Sequence, residues 1–102
     1  LPELTKAAQL ETVLARKRVL VIDDVAANRR ILREQLWAWG ALVDEAETGM
    51  DGIHQLQSSH SGRLNERFSL VIVDMHMPGI DGKTTAQIIK GDSRSSDIPV
   101  IL

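Results

Sequence analysis

Cysteine is absent from this chain, which excludes disulfides, thiolate chemistry and zinc held through sulfur. Tyrosine is absent too, and a single phenylalanine with two tryptophans is too little for an aromatic recognition surface. No apolar run approaches the roughly 20 residues of a membrane-spanning helix, so no membrane contact by this segment is expected. No signal-peptide pattern opens the chain, and Leu1 in place of Met suggests a piece of something longer. The longest basic block is Arg16-Lys17-Arg18, and at a net charge of −2 there is no electrostatic footprint for direct nucleic-acid contact. What is present is a 102-residue chain, 43% apolar, the composition of one small folded domain with a thin stability margin.

The hydrophobic pattern predicts a helix over 3–17, with Leu4, Ala7, Leu10 and Leu14 on one stripe. A short apolar strand at 19–23 ends on acid. A helix follows from Ala26 to Trp39 through Ile31, Leu32, Leu36 and Trp39, and Gly40 stops it. Residues 41–46 read as a weak strand, and 49–57 as a helix through Ile53 and Leu56, with Met50 near that face. Residues 58–67 read as loop, 70–74 as a second strongly apolar strand, and 82–90 as a helix with Thr85, Ala86 and Ile89 facing in. After a loop at 91–97, a buried strand is expected over 98–102. Apolar strands alternating with helices predict an α/β domain, a doubly wound parallel sheet covered on both faces.

In such sheets the reactive crevice lies beyond the carboxyl ends of the strands. Two stretches end there on acid: RVLVIDDVAANR (18–29), with Asp23 and Asp24, and VIVDMHMPGIDG (71–82), with Asp74. If their strands are neighbours, three carboxylates share one shallow pocket, and their mutual repulsion calls for a cation. Oxygen donors favour hard Mg²⁺ over zinc or copper. Two chemistries are then open. The cation could activate water for hydrolysis, or one Asp could itself attack phosphorus and form an acyl phosphate.

These residues resemble the receiver domain of two-component response regulators. The acidic pair of VIDD (21–24), Asp74 and the following MPGIDG (77–82) match the family pattern in type, order and spacing over about residues 18–102. Asn28-Arg29 and GALVDEAETGMDGI (40–53) look like the receivers fused to hybrid sensor kinases. The resemblance implies a flavodoxin-like fold, preceded here by a linker helix at 1–17. It implies phosphorylation of Asp74 from a phosphohistidine, the donor being a histidine kinase or a histidine phosphotransfer domain. Asp24 would ligate Mg²⁺ directly, Asp23 would assist through water, and the His76 backbone carbonyl would be the third protein ligand. Met75 and Met77 would only pack, and Asp81-Gly82 would start the next helix. The cytoplasm is the implied location, including the cytoplasmic part of a membrane-bound sensor kinase.

The family also carries a Ser or Thr after strand 4 and a Lys after strand 5, positions beyond Leu102, and Lys83 and Lys90 are poorly placed to replace the Lys. The expectation for the chain as given is a partial receiver truncated in strand 4, whose edge invites self-association. The alternative reading is a receiver-like interaction module that is not phosphorylated. A Mg²⁺-dependent phosphohydrolase with an Asp nucleophile would need a second acid where His76 stands. Trp37 and Trp39 cannot share a helix face, and Trp39 fits the core stripe better. His54 and His60 read as surface residues, and Gly79–Gly82 lacks the context of a nucleotide loop.

Overall fold

Apolar β-branched runs make the centre of the sheet. The computed structural model describes residues 9, 12–63 and 66–102, and the strands in it are β1 (Arg18–Ile22), β2 (Leu42–Ala46), β3 (Leu70–Val73) and β4 (Val100–Ile101). Between them run α1 (Ala26–Ala38), α2 (Gly49–His60) and α3 (Gly82–Gly91). All strand pairs are parallel and the order is β2-β1-β3-β4, a doubly wound arrangement of the flavodoxin-like kind. Register places Ile22 beside both Ala46 and Val73, so β1, β2 and β3 end at one level.

Side-chain alternation along β1 divides the core in two. Leu20 and Ile22, with Val71 and Val73 of β3, face Ile53 and Leu56 of α2 and Ile89 of α3. Val19 and Val21 face the other way, onto Leu36 of α1 and Ala41, with Leu32, Trp39 and Leu14 at the margin. All four apolar β1 side chains, Val19 to Ile22, are fully buried. Gly52 lets α2 close on the sheet, since a Cβ there would overlap the Ile22 side chain.

The pattern-based expectations hold for every strand and for the order of elements, with local corrections. Ile31 is 66% exposed, because it precedes Leu32 by one residue, about 100° around the helix, and so leaves the stripe. Met50 is likewise exposed, beside the buried stripe of Gly49, Gly52, Ile53 and Leu56. Helix α2 continues through Ser58 to His60, into the segment read as loop. The buried strand expected over 98–102 is the pair Val100–Ile101, and Ile101 and Leu102 are about half exposed. Trp39 is half-buried against the α1-side core and Trp37 is exposed, as their spacing requires. His54 is exposed and His60 is intermediate. Of the N-terminal stripe, Leu4, Ala7 and Leu10 lie outside the described residues, whereas Leu14 packs beside Val19 and Val21.

Candidate functional site

The ends of β1 and β3 are held side by side by their ladder, and the first bond past it is Asp74 N–H to the Ile22 carbonyl at 2.9 Å. Asp23 N–H likewise donates to the Ala46 carbonyl at the end of β2, at 3.1 Å. The ends of β1 and β3, with β2 alongside, therefore bring Asp23, Asp24 and Asp74 to one place. Asp23, Asp24 and Asp74 each offer a carboxylate oxygen to a cluster whose atoms lie within 4.8 Å of one another. Asp23 is buried, Asp24 exposed and Asp74 intermediate, so the cluster has a floor and an open rim.

Local bonds fix two of the three. Asp23 Oδ1 accepts from Val25 N–H at 2.9 Å, which turns the chain into α1 without a side-chain cap. Asp74 Oδ1 accepts from His76 N–H at 3.3 Å, a short-range turn of the kind Asp favours. His76 is exposed beside the cluster, and its amide is the part of it that contacts Asp74. Past it, Met77 is buried, but Met75 is 43% exposed, so packing accounts for only one of the two methionines.

The loop returns through Asp81, whose side chain caps α3 by accepting from Thr84 N–H at 2.8 Å. That bond, above all, holds the Asp81 carboxyl below its ordinary value. Gly82 N–H donates to the Met75 carbonyl at 3.1 Å, and a Cβ at Gly82 would overlap the carbonyl of Asp74. The start of α3 is thus pressed against the backbone that carries Asp74. Lys90 is at the other end of that helix, bonded to the Ile98 carbonyl at 2.6 Å, and Lys83 is exposed in its first turn.

The donor set is three hard carboxylate oxygens without sulfur or imidazole, which fits Mg²⁺ or another hard divalent cation. The cluster is suited to phosphoryl chemistry that needs such an ion. One participant figures in the sequence only as part of the family likeness. Arg29 is buried and its Nη1 donates to the Asp23 carbonyl at 2.6 Å. Its position three and seven residues before Leu32 and Leu36, on the apolar stripe of α1, was the available signal.

Fold, strand-end acids and the turn after β3 together define a signalling receiver, and the comparisons with known proteins agree. The family model of the response regulator receiver domain matches residues 19–102, and the chain belongs to that family. It is 35% identical over 85 residues to the response regulator PleD of Caulobacter vibrioides, covering 83% of this chain and 17% of that protein. It is 30% identical over 95 residues to the sensor protein EvgS of Escherichia coli O157:H7, covering 93% of this chain and 7% of that one. The chain thus spans a small part of these relatives. Among solved structures, it resembles the receiver domain of the histidine kinase CKI1 from Arabidopsis thaliana with a TM-score of 0.78, covering 93% of this chain and 68% of that one; at 21% identity this speaks for the fold alone. A structure of the histidine kinase ThkA in complex with the response regulator TrrA contains a chain similar at a TM-score of 0.66 and 34% identity, covering 82% of this chain and 65% of that one. No described helix is long and apolar enough to cross a membrane.

Proposed function

We propose that this domain is the phosphoacceptor of a two-component phosphorelay, with Asp74 as the nucleophile. The observation that carries the proposal is the convergence of three carboxylates from adjacent parallel strands within 4.8 Å. Asp23, Asp24, Asp74 and the His76 backbone carbonyl would hold Mg²⁺. When bound, the ion supplies neutralisation of the transferring phosphoryl oxygens. An Asp74 oxygen attacks phosphorus, the new O–P bond forms as the donor's N–P bond breaks, and the imidazole nitrogen leaves with the bonding pair. Asp74 becomes an acyl phosphate, which water later cleaves to carboxylate and inorganic phosphate. The Asp23 and Asp24 carboxylates stay in place throughout, one on the floor and one at the rim.

The donor is a histidine kinase or a histidine phosphotransfer domain, a partner class supported by the kinase–regulator complex and by the sensor protein among the similar proteins. The working compartment is the cytoplasm. Residues 18–102 form the receiver, and 1–17 serve as the linker that leads into it. Intact-mass measurement after incubation with acetyl phosphate and Mg²⁺ tests the proposal, with Asp74→Asn as control. One added phosphoryl group that the control and an EDTA-treated sample both lack is the expected result. No addition in a folded sample would refute it and favour the interaction module that is not phosphorylated.

A further inference from the structure

Beneath the acids lies a charge that the phosphoryl step does not use. Arg29 is 8% exposed and is the one buried basic residue among those described. An isolated guanidinium at such depth would be strongly unfavourable, but here each nitrogen faces an oxygen. Nη1 donates to the Asp23 carbonyl at 2.6 Å, Nε donates to Glu45 Oε1 at 3.3 Å, and Nη2 lies 3.6 Å from Glu47 Oε1. Glu45 is gripped from its other oxygen by Arg33 Nη1 at 2.7 Å. One planar fork therefore ties α1 to the ends of both β1 and β2, which a single ammonium cannot do.

The bond to the main chain matters most. The Asp23 carbonyl belongs to the rigid peptide unit that joins Asp23 to Asp24, so holding it sets the plane from which the Asp24 side chain departs. We propose that Arg29 is a positioning residue for the cation site. It locks the Asp23–Asp24 peptide so that both carboxylates are aimed before the cation arrives. Glu45 and Glu47 offset its charge, so it supports the acids without opposing the cation. The inference rests on the Mg²⁺ reading of the cluster given above.

Calorimetric titration of Mg²⁺ into the 102-residue chain, its Arg29→Lys and its Arg29→Met variants tests this. The titrations are made where circular dichroism shows each protein folded. Loss of the fork should weaken Mg²⁺ binding about tenfold or more in both variants, the scale seen when groups that orient metal ligands are removed. A guanidinium acting through charge alone predicts the opposite sign: Arg29→Met would bind more tightly and Arg29→Lys as the wild type does. A merely structural role predicts a lower melting temperature with unchanged affinity in the folded protein. Either pattern overturns the proposal. Should Arg29→Met fail to fold, Glu45→Gln replaces it, because it loosens the Nε contact and should weaken binding by less than Arg29→Lys; unchanged affinity in both would equally overturn the proposal. A wild type that takes up no Mg²⁺ refutes the cation reading itself, whereas normal binding in wild type and variants refutes only the role of Arg29.

Discussion

Replacing Gly82 with Ala should disturb the loop that carries Asp74 more than any loss of backbone freedom explains. A Cβ there would overlap the Asp74 carbonyl oxygen and lie 2.8 Å from both the Asp74 carbonyl carbon and Met75 Cα. Comfortable carbon–carbon contact begins near 3.5 Å, so the loop or the start of α3 must retreat by about 0.7 Å or more. The obstacle is main chain and cannot swing aside as a flexible side chain would. Overpacking of this kind costs about 1–3 kcal/mol. For a domain of this size that is a fall in melting temperature of roughly 4–24 °C. The matched control is Gly91→Ala, since a Cβ at Gly91 meets nothing within 4 Å. It should leave the melting temperature unchanged or slightly higher, because Gly91 is the last residue of α3 and gains only part of the roughly 1 kcal/mol by which Ala is the better helix former in a helix interior. Thermal unfolding of the three proteins gives the energetic half, and the rate of Asp74 modification by acetyl phosphate gives the functional half. Gly82→Ala melting together with the control would refute the close approach. A destabilised Gly82→Ala that reacts at the wild-type rate would refute the mechanical link between α3 and Asp74.

Leu56 is 2% exposed between α2 and the sheet, so Leu56→Ala should lose about 2–5 kcal/mol in urea unfolding. The Asp81 carboxyl is held below 3.8, first by the Thr84 amide, so its contribution is complete above pH 3.8 and is lost as pH falls through the lowered folded value. Asp81→Ala should therefore be less stable than wild type near neutrality, and the two should converge below pH 3.8 in urea midpoints measured against pH. Arg18 pairs with Asp44 at 2.6 Å and stacks 5.1 Å from the Phe68 ring, but both partners of the pair are about one-third exposed. Arg18→Ala should cost no more than about 1 kcal/mol, and added salt should shrink the difference.

The strands and the acids at their ends were legible because burial on both faces writes an uninterrupted apolar run, and Asp23, Asp24 and Asp74 break those runs abruptly. Helix α1 was legible as an element but not in its orientation. Ile31 and Leu32 are equally apolar, and only packing against Val19 and Val21 chooses Leu32. The end of α2 was hidden because Ser58-Ser59-His60 carries no apolar marker, although Ser59 Oγ bonds back to the Leu56 carbonyl at 2.9 Å. Arg29 was hidden for a different reason. The contacts of a charged residue on an apolar stripe cannot be read until its partners, Glu45 of β2 and Glu47 just after it, are brought to it by the fold.

The central position of β1 has a consequence for how the chain comes to be folded. Among the described strands it comes first in sequence, yet both of its neighbours come later, and Val19 finds its second partner only when Leu70 has been made. Until then the fully apolar segment Val19–Ile22 has one side of its hydrogen-bonding backbone unmatched. Pairings of such sequence separation are slow to form, because the loop must close before any contact rewards it. During synthesis the segment is therefore an apolar strand with an unmatched edge, the kind of feature that makes unfinished chains prone to aggregate.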